Sequence, residues 1–191
     1  MRARRVWFYW KNIPHAYLIT PPREASSEVV QVNPLGRIPA LILDDDTCIF
    51  DSSVIADYAD TLNDTPILIP RHSAAARMRV KRWEALADGI VDSAVVVRTE
   101  SLRPGDKQDA DTIIRHNQAI TRALAYAADQ LAQQSWCEGT ALTLGDLALV
   151  SALIYLDLRQ TERHWRALHP NLAVWFSNIS GRASVRTTLA V

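Results

Sequence analysis

The sequence has few cysteines and no long apolar run, and both absences narrow the class of protein. Cys48 and Cys137 are its two cysteines, and their separation fits neither a disulfide framework nor a redox pair nor a metal-binding cluster. No apolar run approaches the roughly 20 residues that cross a bilayer, and the basic start Met1–Arg5 is not followed by the apolar stretch of a signal peptide. We therefore expect a soluble protein of the reducing cytoplasm, with no membrane partner.

An excess of charge of either sign is also missing. Lys and Arg number 21 and Asp and Glu number 21, so the formal net charge is zero and no nucleic acid or anionic membrane is expected as a partner. Hydrophobic residues make up 48% of the chain, which excludes disordered classes and is enough for one large or two small domains. The five histidines show no metal-ligand spacing, so no metal site is predicted.

A turn followed by a strand is predicted before the first run of aspartates. Pro34 and Gly36 are typical of a turn. Pro39 disfavours helix at Ile38, because a residue that precedes proline is held in an extended conformation. Ala40–Leu43 is a short apolar run and predicts a buried strand that begins directly after Pro39.

A hairpin and a capped helix follow this strand. Three consecutive aspartates, Asp44–Asp46, predict the hairpin turn into a second strand over Thr47–Phe50. Asp51–Ser53 are residue types that cap helix N-termini, and the apolar residues after them predict a helix that ends near Leu62. The predicted order is therefore loop, strand, hairpin and capped helix.

This order resembles the signature of the glutathione transferase family, and it is most similar to that of the small bacterial members. The matching residues are Asn33, Pro34, Gly36, Arg37, Ile38 and Pro39 before the hairpin, and Asp51, Ser52 and Ile55 after it. The resemblance implies a thioredoxin-like α/β N-terminal domain followed by an all-helical C-terminal domain. It also implies glutathione as co-substrate and a homodimer.

The resemblance assigns roles to the matching residues. Ile38, which precedes a cis Pro39, would bind the cysteinyl backbone of glutathione through its own N–H and C=O groups. Asp51 with Ser52 would hold the γ-glutamyl end at a helix N-terminus. Arg37 would meet the glycyl carboxylate, with a solvated arginine as the open alternative. An ordinary hairpin followed by a capped helix is the other interpretation of the whole stretch.

The resemblance continues through the second half of the chain. Residues 63–70 resemble the linker of the family, and the pattern after it is helical. Thr143 and Asp146 predict a capping box that opens a helix at the centre of the C-terminal domain. The other predicted helices are Ser73–Arg98, Asp109–Gln133 and one that begins at His169. The predicted domains are residues 1–63 and 73–191, joined by a linker over residues 64–72.

The resemblance departs from the family at the start of the chain. A helix over Arg4–Trp10 and a strand over His15–Thr20 match the family's first helix and second strand. Family members begin with a further strand and a loop whose Ser, Cys or Tyr bonds the sulfur of glutathione. We therefore expect the thiol-activating residue upstream of Met1 and an N-terminal domain truncated at its start; a natural short form is the competing interpretation. Tyr9 is interpreted as a packing residue rather than a substitute donor.

The implied activity is that of a detoxifying glutathione transferase, which conjugates glutathione to a small hydrophobic electrophile or uses it for reduction. The alternative is a non-catalytic member that keeps the fold as a binding or regulatory module, because the thiol-activating residue is absent from this chain. Asp88 and Asp92 are interpreted as helix-surface charges rather than contacts to glutathione across a dimer. Trp83 is interpreted as packing, and Asn33 as a stabiliser of its turn.

Overall fold

The architecture is a short hairpin followed by a bundle of helices. The computed structural model describes residues 13–16, 18 and 28–182. Within them, two strands and seven α-helices are formed, together with short 3-10 turns at Gly105–Lys107 and Thr161–Arg163. In chain order these elements are α1 (Val29–Val32), β1 (Leu41–Ile42), β2 (Cys48–Ile49), α2 (Ser52–Thr61), α3 (Ala74–Ser101), α4 (Ala110–Gln130), α5 (Leu144–Arg159), α6 (Trp165–Leu168) and α7 (Pro170–Ser180).

The beginning of the chain is described only in part. The predicted helix Arg4–Trp10, and Tyr9 within it, lie outside the described residues. Of the predicted strand that begins at His15, the described residues His15, Ala16 and Leu18 have irregular backbone and belong to no strand. His15 Nδ1 lies 2.8 Å from the C=O of Ile13, a local hydrogen bond of the kind that competes with strand pairing.

The predicted hairpin is present, but its strands are shorter than predicted. β1 and β2 are antiparallel, with Leu41 opposite Ile49. The N–H of Leu43 donates to the C=O of Thr47 at 2.9 Å, which closes the turn, and Asp46 has a φ of +64° within it. The prediction of a buried strand is wrong, because Ile42 is 49% exposed. In the described part of the sheet, β1 pairs only with β2. Successive side chains of a strand point to opposite faces, so one face of β1 is turned to the interior and the other to solvent.

The helix α5 lies at the centre of the helical part. Every residue from Leu144 to Ile154 is buried, and a helix that is apolar on all sides must be enclosed by others. α3 packs against both α4 and α5, and α7 packs against the same two helices. The predicted helices Ser73–Arg98 and Asp109–Gln133 are confirmed as α3 and α4, although α3 ends three residues later and α4 three residues earlier than predicted. No described helix is long and apolar enough to cross a bilayer.

The predicted capping box at the start of α5 is confirmed. Asp146 is fully buried, and its Oδ2 accepts hydrogen bonds from the N–H of Thr143 at 2.7 Å and from Thr143 Oγ1 at 2.8 Å. Its Oδ1 accepts a further hydrogen bond from the N–H of Cys137 at 2.7 Å. Burial nevertheless raises the pKa of the Asp146 carboxyl. This side chain therefore joins α5 to the segment that precedes it.

The segment between α2 and α3 packs against the helical part of the molecule. Leu68 and Ile69 are buried, and their N–H groups donate to the carboxylate of Asp60 at 2.9 and 3.3 Å. The C=O of Leu68 accepts a hydrogen bond from the N–H of Leu144 at 2.9 Å. The segment thus ties α2 to the first residue of α5. The boundaries 1–63, 64–72 and 73–191 stay a prediction.

Candidate functional site

One buried side chain holds the turn between α1 and β1. Asn33 is 2% exposed; its Oδ1 accepts a hydrogen bond from the N–H of Leu35 at 2.9 Å, and its Nδ2 donates to the C=O of Arg37 at 2.7 Å. Gly36 has a φ of +59°, a conformation that glycine adopts without steric cost. The prediction that Asn33 stabilises this turn is confirmed, and the side chain fixes the main chain that leads to Ile38.

Ile38 and Pro39 follow this turn as half-buried residues. The peptide bond between them is cis, the isomer that the resemblance implies. Neither the N–H nor the C=O of Ile38 is hydrogen bonded to another residue of the described chain. A main-chain donor and acceptor side by side can bind the backbone of a peptide-like ligand.

Asp51 and Ser52 meet at the N-terminus of α2. Ser52 Oγ donates a hydrogen bond to Asp51 Oδ1 at 2.6 Å; Ser52 is fully buried and Asp51 is exposed. Asp51 is the N-cap residue, but its side chain accepts no hydrogen bond from the N–H groups of the helix. The predicted position of this helix is confirmed, since Asp51 is its N-cap residue and Leu62 its C-cap residue, although the Asp51 side chain makes no capping hydrogen bond. A carboxylate favours an ammonium group and a helix N-terminus favours a carboxylate, so this place suits the head group of an amino acid.

The hairpin brings these two features to one end. Because β1 and β2 are antiparallel, with Leu41 opposite Ile49, the chain that enters β1 and the chain that leaves β2 lie side by side. Ile38 lies three residues before Leu41, and Asp51 lies two residues after Ile49. Both therefore lie at the end of the hairpin away from the Asp44–Asp46 turn, on neighbouring segments of main chain.

The other predicted candidates are two acids, an arginine and a tryptophan. Arg37 is exposed, and its guanidinium forms no hydrogen bond to a described residue, so both interpretations of it stay open. Asp88 is half-buried and Asp92 is exposed, both on α3. Trp83 is 3% exposed, and its ring centroid lies 6.0 Å from that of Tyr126. The interpretation of Trp83 as a packing residue is confirmed.

Glu84 is a buried carboxylate on α3 that the sequence patterns did not bring out. It is 3% exposed and forms an ion pair with Lys81, whose Nζ also lies 3.2 Å from Asp57 of α2. Burial raises the pKa of the Glu84 carboxyl, and Lys81 offsets part of that rise. One signal could have found it: Glu84 is four residues after Val80 and three before Ala87, so an acid occupies a position within the apolar stripe.

Two further classes of chemistry find little support in the described residues. No group of three or more His, Cys, Asp and Glu residues in the ranges 13–16, 18 and 28–182 is arranged to hold a metal ion. Cys137 is buried, and burial together with the nearby Asp146 raises the pKa of its thiol well above the ordinary value. The thiol of Cys137 is therefore protonated at neutral pH and is no nucleophile.

Comparison with known proteins connects this geometry to one family. The model of the glutathione S-transferase N-terminal domain matches residues 2–62, and that of the glutathione S-transferase C-terminal domain matches residues 98–178. The chain is 33% identical over 178 residues to the uncharacterized GST-like protein YibF of Escherichia coli (strain K12), an alignment that covers 93% of this chain and 87% of YibF.

Two solved structures are similar over almost the whole chain. The crystal structure of a glutathione S-transferase from Methylobacillus flagellatus with GSH bound has a TM-score of 0.94 and 35% identity, and the match covers 98% of this chain and 92% of that one. The glutathione S-transferase from Methylobacterium radiotolerans, in complex with glutathione sulfonate, has a TM-score of 0.92 and 30% identity, with 98% of this chain and 88% of that one covered.

Proposed function

This chain belongs to the glutathione S-transferase family, and we propose that it binds glutathione and joins it to a small hydrophobic electrophile. The predicted fold class is confirmed, since a thioredoxin-like N-terminal domain is followed by a helical C-terminal domain. The observation that carries the proposal is the contact of Asp51 with Ser52 at the N-terminus of α2, at the same end of the hairpin as Ile38, whose main chain bonds none of the described residues.

Glutathione as the ligand is supported by the two solved relatives. Their structures contain GSH and glutathione sulfonate, and both proteins share 30% or more of their aligned residues with this chain. Glutathione is a tripeptide with an amino-acid head at one end and a carboxylate at the other. Its chemistry therefore matches a site that combines an acid, a hydroxyl, a helix N-terminus and main-chain groups that bond none of the described residues.

We assign each part of glutathione to a part of the site. The γ-glutamyl ammonium pairs with the carboxylate of Asp51, and the γ-glutamyl carboxylate lies at the helix N-terminus with the hydroxyl of Ser52. The cysteinyl N–H and C=O bond to the main chain of Ile38, next to Pro39. Arg37 is assigned to the glycyl carboxylate, and a solvated arginine is the alternative.

The reaction needs the thiol of glutathione as a thiolate. A free thiol has a pKa of about 8.5 and is only a few per cent ionised at neutral pH. A hydrogen-bond donor that lowers this pKa raises the concentration of the thiolate. The thiolate sulfur forms a bond to the electrophilic carbon, and with an aryl halide the carbon–halogen bond breaks and halide ion leaves. No described residue is assigned this role, and using the thiol for reduction instead of conjugation requires the same thiolate.

Retention on immobilised glutathione tests the site. We expect the full chain to be retained, and Asp51→Ala to weaken binding about tenfold or more, because it removes one partner of a charge-assisted contact. The matched control is Asp44→Ala, which removes an exposed carboxylate from the other end of the hairpin. If Asp51→Ala is retained like the wild type, the site assignment is wrong.

Turnover is tested separately with an activated aryl halide as electrophile. We expect conjugation that requires glutathione and that is reduced in Asp51→Ala in proportion to the lost binding. Binding of glutathione without any conjugation or reduction would instead identify a non-catalytic glutathione-binding protein, which was the alternative prediction.

We also propose that the protein is a cytoplasmic homodimer that acts in detoxification. The support for these three statements is the membership of the family alone. Light scattering of the purified protein measures its molar mass in solution. A molar mass equal to that of one chain would contradict the dimer.

A further inference from the structure

A carboxylate in the middle of α2 connects that helix to α3. Asp57 Oδ2 lies 2.9 Å from Arg77 Nη2, and Asp57 Oδ1 lies 3.2 Å from Lys81 Nζ. Lys81 also forms an ion pair with Glu84, one turn further along α3. These four residues form an ion-pair network between the helix that begins at the proposed glutathione site and the first long helix after the linker.

Lys81 is held in place by the buried carboxyl group of Glu84. Exposed ion pairs contribute little to stability, because two long side chains lose conformational freedom when they meet. Glu84 is 3% exposed, and a buried carboxyl group needs a hydrogen-bond partner in either protonation state, since it keeps an acceptor oxygen when protonated. Because Glu84 already orders Lys81, the contact between Lys81 and Asp57 costs less side-chain freedom than an isolated surface pair.

The apolar contact between α2 and the helical part of the molecule is small. Ala56 of α2 belongs to the core that α3, α4, α5 and α7 form, and its side chain is a single methyl group. Hydrophobic contact is non-directional, so this methyl group does not fix the orientation of α2. Charge-assisted contacts to two cations on α3 are directional and can fix it.

The ion-pair network lies close to the proposed glutathione site. Asp57 follows Asp51 by six residues, which is about 9 Å along a helix axis. A second polar anchor of α2 lies further from the site: the carboxylate of Asp60 accepts hydrogen bonds from the N–H groups of Leu68 and Ile69. A helix that is fixed only near its C-terminal end tilts more freely at its N-terminal end, and a displacement of about 1 Å there weakens the contacts of a binding site.

We propose that Asp57 is a positioning residue for glutathione. Through Arg77 and Lys81 it holds α2 in the orientation in which Asp51 and Ser52 meet the γ-glutamyl head group. The inference rests on the proposed function, because it concerns the same ligand. It adds that two cations of α3 contribute to glutathione affinity without contacting glutathione.

Calorimetric titration of the full chain with glutathione measures this contribution. We expect Asp57→Asn, which keeps the shape of the side chain and removes its charge, to raise the Kd of glutathione about threefold or more. Asp57→Glu is the conservative variant, and its longer side chain still reaches both cations because Asp57 is only partly buried. Its Kd should lie within about twofold of the wild-type value.

The matched control is Arg79→Gln. Arg79 is also on α3 and also forms an ion pair, with Glu138 at 2.8 Å, but this pair does not include α2. Arg79→Gln should therefore leave the Kd of glutathione unchanged. Urea unfolding of both variants shows how much stability each ion pair contributes, so that an effect on affinity is not mistaken for a general loss of stability.

A double-mutant cycle with Asp51→Ala shows whether Asp57 acts through the contact with the head group. If Asp57 positions Asp51, much of its effect is lost once the Asp51 carboxylate is absent. The fold-change in Kd caused by Asp57→Asn should therefore be smaller in the Asp51→Ala background than in the wild type. A general loosening of the fold would give the same fold-change in both backgrounds.

The possible failures are distinguishable from one another. If the wild type does not bind glutathione, the proposed function is wrong and this inference falls with it. If the wild type binds, the positioning role alone is overturned by any of three results: an unchanged Kd in Asp57→Asn, an equal change in Arg79→Gln, or equal fold-changes in the two Asp51 backgrounds.

Discussion

Gly145 lies in the first turn of α5, where that helix crosses α3. A Cβ atom at this position would lie 2.8 Å from Trp83 Cβ, closer than packed atoms allow, and 3.4 Å from Cys137 Cβ. Gly145→Ala should therefore lower the free energy of unfolding by about 1–3 kcal/mol, as overpacking does. Urea unfolding followed by circular dichroism measures this change.

The control for Gly145 is another helical glycine. A Cβ atom at Gly89, on α3, would have no heavy atom within 4 Å. Gly89→Ala should raise the free energy of unfolding by about 0.5–1 kcal/mol, since alanine loses less backbone entropy on folding. Equal effects of the two substitutions would show that close approach of α5 to α3 is not the reason for glycine at Gly145.

Residue roles could be predicted from the sequence where the chemistry is local. Asn33 bonds residues two and four positions further on, and this short-range behaviour belongs to asparagine wherever it precedes a turn. The contact of Ser52 with Asp51 depends on the backbone direction at the N-cap, which the residue types alone do not fix. Glu84 was missed because its burial depends on which helices cover α3.

At the scale of elements, the capping box of α5 is the contact with the largest expected effect. Asp146→Ala removes the acceptor for the N–H groups of Thr143 and Cys137 and leaves them buried and unpaired. We expect a loss of about 3 kcal/mol or more in the free energy of unfolding. Asp146→Asn, which keeps one acceptor oxygen, should lose less and is measurable even if the alanine variant does not fold.

The control for the capping box is Asp129→Ala, which removes an exposed carboxylate near the end of α4. Its effect should stay within about 0.5 kcal/mol. If Asp146→Ala and Asp129→Ala have equal effects in chemical unfolding, the buried hydrogen bonds of Asp146 contribute nothing measurable.

The long helices could be predicted because their starts are marked locally. Ser73 and Asp109 accept hydrogen bonds from the N–H groups of Ala76 and Thr112, each at 3.2 Å, as N-cap residues do. The short helix α6 carries no such mark. Its Trp165 Nε1 donates to Asp157 Oδ1 of α5 at 2.8 Å, a tertiary contact that periodicity does not show.

At the scale of the whole molecule, a network of ion pairs joins α2, which follows the hairpin, to α3 of the helical domain. Asp57 of α2 lies 2.9 Å from Arg77 and 3.2 Å from Lys81, and Lys81 also pairs with the buried Glu84. The hairpin, the linker and the capping box, which occur in this order along the sequence, predicted an N-terminal and a C-terminal domain. Sequence could not predict this contact between them, because Asp57 precedes Arg77 by 20 residues and Lys81 by 24, and lies on a separate helix.

The buried Glu84 of this ion-pair network predicts a pH dependence of stability. Because the folded-state pKa of Glu84 is raised, the folded protein keeps a proton that the unfolded chain loses above about pH 4.3. The contribution of Glu84 to stability therefore falls as the pH rises from there through its raised pKa. The free energy of unfolding of Glu84→Gln, minus that of the wild type, should rise from about pH 4.5 to about pH 7.5.

Urea unfolding at the two pH values measures this difference. Asp92→Asn is the control, because it removes an exposed carboxylate from the same helix. A trend of the same size in Asp92→Asn, or a flat difference for Glu84→Gln, would contradict Glu84 as the source.

The hydrogen bond from Leu144 to Leu68 limits where the molecule can be divided. A truncated chain that begins at Ser73 would lack the buried residues Leu68 and Ile69. The backbone N–H of Leu144, the first residue of α5, would then lose its hydrogen-bond acceptor and be exposed to solvent. A fragment intended to fold as the helical domain alone should therefore begin before Ile67, so that Leu68 and Ile69 still cover the helices against which they pack.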